Sequence, residues 1–213
     1  GLEHIGQFAF YWCEQLTSVN IPTTLTYYGA LAFSDCKALE YVYWNAEACA
    51  DIKNIQKEYS TTYCNPFGSI STEATFVIGN KVKIVPAYLC FQTNAKEIIF
   101  EENSICEEIH TEAFRGTSNA TTLSLPASLK LIQRYGIGYC DRCSFTDIIF
   151  EGNGNWKTSW TTTEVSGGKV QEVAHSATLT ASMLTDSKQN LKYFINYVSS
   201  SSIGYGNCIW TKI

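Results

Sequence analysis

The chain has 213 residues and a formal charge of −5, and its composition is 45% hydrophobic, 14% aromatic and 16% charged. This composition describes a folded globular chain, because disordered chains are rich in charge and poor in aromatic residues. The acidic balance argues against nucleic-acid binding, which needs a basic surface. No run approaches the roughly 20 apolar residues of a membrane helix.

The first fifty residues repeat with a period of 23. The pattern L-x-x-I-G-x-x-A-F-x-x-C-x-x-L-x-x-V-x-I over residues 2–21 returns as L-x-x-Y-G-x-x-A-F-x-x-C-x-x-L-x-x-V-x-W over residues 25–44. The match includes glycine, an Ala-Phe pair and cysteine at equal offsets, as well as apolar positions. A period in this range indicates a solenoid of stacked coils.

The same frame returns along the chain and predicts six coils. Each coil closes with two apolar residues that are separated by one other residue: Val19/Ile21, Val42/Trp44, Phe76/Ile78, Ile98/Phe100, Leu123/Leu125 and Ile148/Phe150. Alternation with a period of two predicts a short strand in each coil, and stacking places these strands in a parallel ladder. The inward side chains, with a column of Phe10, Phe33, Phe67 and Phe114, are expected to form one continuous core.

These motifs resemble the BspA-like class of leucine-rich repeats, and the resemblance covers about residues 2–153. It implies a leucine-rich-repeat solenoid, a right-handed superhelix of α/β type that is rich in β structure. Each coil, one repeat of the pattern in length, would carry one short strand, and the strands would form a parallel sheet on the concave face. Glu73 in a leucine position and Gly136-Ile137 in place of Ala-Phe depart from the pattern. Proteins of this family are bacterial surface or secreted proteins, and several are implicated in adhesion to host proteins.

Two segments depart from the repeat. Residues 45–65 form an insertion that is expected to bulge from one edge, with Cys49 and Cys64 either paired or both free. Residues 154–213 are expected to cap the last coil, which divides the chain into repeats at 1–153 and a capping region at 154–213. Short strands or loops are predicted over 154–184. A helix is predicted over 186–198, with Asp186 as its N-cap.

No catalytic or nucleotide-binding motif is present, so we expect no enzyme activity and no cofactor. His110 takes the place of a turn glycine and is expected to be an exposed turn residue. Cys140-x-x-Cys143 lacks the second pair of ligands that a zinc site needs, and Cys140 aligns with the cysteine slot of the coils. Most of the nine cysteines are therefore expected to be buried thiols.

The outward positions of the ladder are the remaining candidates for a binding site. Their register predicts the following residues on the concave face: Tyr41, Tyr43, Val77, Glu97, Ile99, Asp147 and Ile149. One interpretation is that apolar and aromatic neighbours stabilise the sheet by cross-strand pairing. The other is that they form a patch with an acidic rim for a basic or mixed surface of a protein partner.

The sequence therefore favours a non-catalytic cell-surface or secreted protein that binds a protein ligand, such as a host extracellular protein, through the concave face. The alternative hypothesis is a structural spacer or stalk within a larger surface protein, without a ligand of its own.

Overall fold

The computed structural model describes residues 1–52, 65–138, 143–166, 169–194, 198–199, 202–203 and 208–213. The strands in these residues are β1 (His4–Ile5), β2 (Ser18–Ile21), β3 (Tyr27–Tyr28), β4 (Tyr41–Trp44), β5 (Thr75–Ile78), β6 (Ile84–Val85), β7 (Glu97–Phe100), β8 (Glu108–Ile109), β9 (Thr122–Leu125), β10 (Leu131–Ile132), β11 (Asp147–Phe150), β12 (Trp156–Ser166), β13 (Lys169–Leu179), β14 (Val198–Ser199), β15 (Ser202–Ile203) and β16 (Ile209–Lys212). The helix α1 (Ser187–Asn190) lies between two 3-10 helices, Ala181–Leu184 and Leu191–Phe194.

The predicted solenoid is confirmed. Six four-residue strands close six successive coils, and they are β2, β4, β5, β7, β9 and β11. The strands β2, β4, β5 and β7 form one parallel sheet, and β9 pairs with β11 in a second one. The predicted register holds in both sheets, but the predicted ladder is interrupted between β7 and β9. Most of the inward closing residues are buried, from Ile21 in the first coil to Ile148 in the last.

The resemblance implies one strand in each coil, but five coils also carry a second strand, which is two residues long. The strand β1 pairs with β3, and β6, β8 and β10 form a parallel ladder. Each strand buries its second residue, as Ile109 and Ile132 show, while the first lies nearer the surface. The first and second coils, and likewise the fifth and sixth, are therefore joined by two sets of strand hydrogen bonds.

In the described residues, turns and not helices cross the side of the coils that carries the Ala-Phe motif. Four coils place two residues with positive φ four positions apart: Phe8/Trp12, Leu31/Asp35, Tyr88/Gln92 and Glu112/Gly116. Residues other than glycine adopt this left-handed conformation at a cost of roughly 1–2 kcal/mol each. Hydrogen bonds between coils compensate, since the backbone N–H groups of the turns donate to the next coil, as from Phe10 to Ala32 (2.8 Å).

The core follows the stack of coils. Phe10 stacks on Phe33 with ring centroids 4.9 Å apart, and Phe33 stacks on Phe67 at 5.0 Å. Cys90 takes the next place in this column, and Phe114 is buried in the coil that follows. The prediction that Phe10 is a core residue is wrong in one respect. Phe10 is 40% exposed, whereas Phe33, which stacks between Phe10 and Phe67, is 1% exposed.

The residues after β11 pack on the last coils. The strand β16 pairs antiparallel with β10 and with β12, so the short-strand sheet continues in the order β13-β12-β16-β10-β8-β6. The indole of Trp210 in β16 lies 6.2 Å from the ring of Phe150, and it stacks on Phe194 at 4.4 Å. These contacts place an apolar cluster against the last closing strand.

The predicted helix over 186–198 is wrong in its extent. The Asp186 carboxylate accepts hydrogen bonds from the N–H groups of Lys188 and Gln189, so the predicted N-cap is present. The α-helix covers only Ser187–Asn190 and continues as a 3-10 helix over Leu191–Phe194, and Val198 already lies in β14. The buried Asn190 amide donates to the carbonyls of Ile148 and Leu184, which fixes this helix against the last coil.

Candidate functional site

We call the outward side chains of the six four-residue strands the ladder face. Successive residues of a strand point to opposite sides of a sheet, so alternate positions are buried and exposed. In β4, Val42 and Trp44 are fully buried, whereas Tyr41 is 49% and Tyr43 is 43% exposed. Large apolar side chains are normally placed inside, so their repeated exposure on one side of a sheet is informative.

The structure brings five of the seven predicted site residues together on one sheet. Tyr43, Val77 and Ile99 lie side by side as register partners on β4, β5 and β7. Tyr41 and Glu97 flank Thr75 in the neighbouring row. Ile99 is 43% exposed and Val77 is partly buried between its neighbours, so the row forms a continuous apolar strip.

The other two predicted residues, Asp147 and Ile149, lie on the separate sheet of β9 and β11. Ile149 is 38% exposed beside Ser124. The Asp147 carboxylate accepts a hydrogen bond from Ser187 at 2.6 Å and another from Thr146 at 2.9 Å. These two hydrogen bonds, with Ser187 the stronger cause, lower the pKa of Asp147. Asp147, which the sequence predicts as an acidic rim residue of the binding patch, therefore also links the last coil to α1.

A cleft of about 630 Å³ opens where the ladder is interrupted between β7 and β9. Its lining residues are Lys96, Glu97, Ile98, Ile99, Phe100, Asn119, Thr121, Thr122, Ser124 and Glu151. In a parallel sheet, the backbone N–H and C=O groups of one residue face the strand on one side, and those of the next residue face the strand on the other side. Glu97 and Glu101 donate to the coil before β7, so the backbone groups of Ile98 and Phe100 face the cleft.

Sequence reasoning did not find this cleft, and the repeat spacing contains no signal for it. The strands β7, β9 and β11 begin at Glu97, Thr122 and Asp147, so the spacing is equal on both sides of β9, yet only β9 and β11 pair. Of the charged side chains at the cleft, Lys96 is held by Glu73, with its Nζ 2.6 Å from the carboxylate. This hydrogen bond raises the pKa of Lys96. The carboxylates of Glu97 and Glu151 give the cleft an acidic border next to the apolar strip.

His110 is not the exposed turn residue that the sequence predicts. Its side chain is only 16% exposed, with Nδ1 2.7 Å from the Asp51 carboxylate and Nε2 3.0 Å from that of Glu108. The hydrogen bond with Asp51, followed by that with Glu108, raises the pKa of His110 despite partial burial. Burial alone would raise the pKa of Asp51, but the hydrogen bonds from His110 and from the Ala87 N–H lower it. This cluster ties the start of the insertion to the fourth and fifth coils.

The described cysteines include buried free thiols, among them Cys36, Cys49, Cys90 and Cys106. Cys36 Sγ donates to the Phe10 carbonyl at 3.1 Å, so the cysteine at this repeat position links the second coil to the first by a hydrogen bond. Burial raises the pKa of the Cys49 and Cys106 thiols to about 12. Cys64 and Cys140, and with Cys140 the Cys-x-x-Cys motif, lie outside the described residues, as do residues 53–64 of the insertion predicted over 45–65.

Within the described ranges, no group of three or more histidine, cysteine or acidic side chains is placed to hold a metal ion. In the same part of the chain, no helix is long and apolar enough to span a membrane.

Comparison with protein families gives a match in the repeat region. The family model described as "BspA type Leucine rich repeat region (6 copies)" matches residues 1–76. The chain carries a BspA-type leucine-rich repeat region. Leucine-rich repeats are generally non-catalytic scaffolds that bind proteins, and BspA-type chains are often associated with surfaces. The stack of parallel strands continues past residue 76 to β11. Comparisons with curated proteins and with solved structures gave no match.

Proposed function

We propose that this chain is a non-catalytic cell-surface or secreted repeat protein that binds a protein partner, and that it mediates adhesion through the ladder face. The observation that carries the proposal is the apolar strip of Tyr43, Val77 and Ile99. These side chains lie on the outer side of the sheet, where Tyr43 and Ile99 are each 43% exposed and Val77 is partly exposed. Protein interfaces are rich in aromatic side chains at their centres, and tyrosine is a frequent hot-spot residue.

The surroundings of the strip supply the polar rim that such an interface needs. Glu97 borders the strip on the same sheet, and Glu151 lies across the cleft. Acidic side chains at the rim favour partners with basic or mixed surfaces and increase the rate of association at low salt. The cleft adds backbone and hydroxyl hydrogen-bonding groups beside the strip, including those of Thr122 and Ser124.

The test is a binding screen of the whole chain against immobilised extracellular-matrix and plasma proteins at physiological salt. The double variant Tyr43→Ala/Ile99→Ala is expected to weaken binding by more than about tenfold, since hot-spot residues contribute about 2 kcal/mol or more each. The matched control is Tyr27→Ala/Ile105→Ala, which removes the same residue types at similar exposure, 37% and 44%, away from the ladder face.

The outcomes separate the two hypotheses that the sequence left open. Binding that the ladder-face variant loses and the control retains supports the proposal. Binding that both variants retain moves the site away from the ladder face and contradicts it. If the chain binds none of the proteins, the spacer hypothesis is favoured.

A further inference from the structure

The strand β13 forms one edge of the six-stranded sheet and is long for an edge strand. It covers 11 residues, Lys169–Leu179, and within the described residues it pairs with β12 alone. The strand β6, at the opposite edge of the same sheet, has two residues. Folded proteins protect edges with short strands, charged residues, proline, bulges or a covering element, because free N–H and C=O groups pair with other chains.

Beyond Glu172, β13 has none of these protections in the part of the chain that the structure describes. Its register with β12 is continuous, so the pairing contains no bulge. The strand has no proline, and after Glu172 it has no lysine, arginine or acidic residue. The insertion begins near the other edge of the sheet, since the Asp51 carboxylate accepts a hydrogen bond from the N–H of Ala87, just after β6.

The hydrogen-bond pattern shows which residues of β13 face outward. The Ile213 N–H donates to the Asn155 carbonyl, so the odd-numbered residues along β12 face β16. Backbone groups of successive residues in a strand face opposite neighbours, so the even-numbered residues of β12 face β13 and meet its odd-numbered residues. The even-numbered residues of β13 therefore direct their N–H and C=O groups away from the sheet, and they are Val170, Glu172, Ala174, Ser176 and Thr178.

The edge is preformed where β12 and β13 extend beyond the end of β16. The side chains of Val173, His175 and Ala177 are half-buried on one face of the hairpin. The His175 ring stacks on the Trp160 indole with centroids 5.4 Å apart, and its Nε2 lies 2.7 Å from the Thr162 hydroxyl. These contacts hold the two strands together, and a rigid edge loses little conformational entropy when it pairs.

We propose that β13 pairs antiparallel with β13 of a second copy of this chain, about a two-fold axis at Ala174. Ala174 is the middle one of the five outward residues, so this axis pairs all five. Glu172 then lies opposite Ser176 of the partner subunit, and Val170 lies opposite Thr178 of the partner subunit. An axis at Glu172 would instead bring two carboxylates together, which is unfavourable.

The charges of the edge favour a second copy as the partner. The chain has a formal charge of −5, but β13 contributes one lysine and one glutamate, which cancel. Two acidic chains therefore meet at a neutral strand. On the other face, the same axis places Val173 opposite His175 of the partner subunit, so the half-buried face beside Trp160 continues across the axis. A surface that pairs with itself closes as a dimer.

The experiment measures the mass of the intact chain by light scattering and analytical ultracentrifugation from low to high micromolar concentration. We expect the mass to rise from 23.8 kDa towards twice that value and no further, because pairing occupies the β13 edge of both copies. Ala174→Pro removes the outward N–H at the axis, where an edge strand tolerates proline. This variant is expected to weaken dimerisation by more than about tenfold.

Two substitutions of one exposed residue test the register. Ser176→Glu places a carboxylate opposite Glu172 of the partner subunit, twice in each dimer, and is expected to weaken dimerisation about fivefold at low salt. Ser176→Lys places an ammonium group at the same position and is expected to strengthen dimerisation by about the same factor. The matched control Thr72→Glu adds the same charge at an exposed turn before β5 and is expected to leave the dimer unchanged.

Opposite effects of the two Ser176 variants, with no effect of Thr72→Glu, support the proposal. A monomer at every concentration overturns it, and so does a mass above that of a dimer. Ser176 variants that act alike, or a control that acts as strongly as Ser176→Glu, also overturn it. If Ala174→Pro loses the circular-dichroism spectrum of the parent, the Ser176 variants decide between these outcomes.

Discussion

Two adjacent isoleucines in β7 test the side-chain register directly. Ile98 is 4% exposed in the core and Ile99 is 43% exposed on the ladder face. Replacing either by alanine removes the same three carbon atoms from neighbouring positions of one strand. The two variants therefore share the loss of β propensity and differ mainly in burial.

The expected costs follow from that difference. Ile98→Ala removes about 2.4 kcal/mol of transfer free energy at about 0.8 kcal/mol per carbon, and the cavity left behind brings the total to about 2–5 kcal/mol. For Ile99, a little more than half of the side chain is buried and no enclosed cavity forms, so the cost is about 1 kcal/mol. For a chain of this size, 1 kcal/mol lowers the Tm by about 2–4 °C.

The assay is urea unfolding of the two variants and the parent, followed by circular dichroism, with thermal melts alongside. We expect Ile98→Ala to lose at least twice the unfolding free energy that Ile99→Ala loses, with equal m-values. Equal losses, or a larger loss for Ile99→Ala, would refute the assigned faces, because a shift of one residue exchanges the two sides of a strand.

Two further predictions concern contacts between distant parts of the chain. His110→Gln is expected to reduce stability most at mildly acidic pH. The hydrogen bonds with Asp51 and Glu108 raise the pKa of His110 in the folded protein. His110 therefore stabilises the fold fully below its unfolded-state pKa of about 6.5, and this stabilisation is lost as the pH rises through the folded-state pKa. Urea midpoints of both proteins across this range should converge at high pH, and a constant difference would contradict the charged pairing. Asn190→Ala leaves the buried Ile148 carbonyl without its amide donor and is expected to cost about 1–3 kcal/mol, and a midpoint shift within error would show that this contact does not hold α1.

The repeat and its register were predictable from the sequence. Both depend on local rules: a constant repeat period places equivalent side chains above one another, and alternation by two decides which side of a strand is buried. The pattern alone therefore assigns Val42 and Tyr43 to opposite faces, and the structure agrees. The N-cap at Asp186 was predictable for the same reason, since a cap involves only its own turn.

Tertiary contacts decided the rest. The interruption between β7 and β9 occurs at the same spacing as the intact pair of β9 and β11, so nothing local encodes it. His110 meets Asp51 across 59 positions of the chain, and that contact converted an expected turn residue into the centre of an ionic cluster. Phe10 carries the same local pattern as Phe33, but Phe33 stacks between two rings, those of Phe10 and Phe67, and Phe10 is 40% exposed. The pattern alone specifies that a side chain points inward, and the number of neighbouring coils determines whether it is buried.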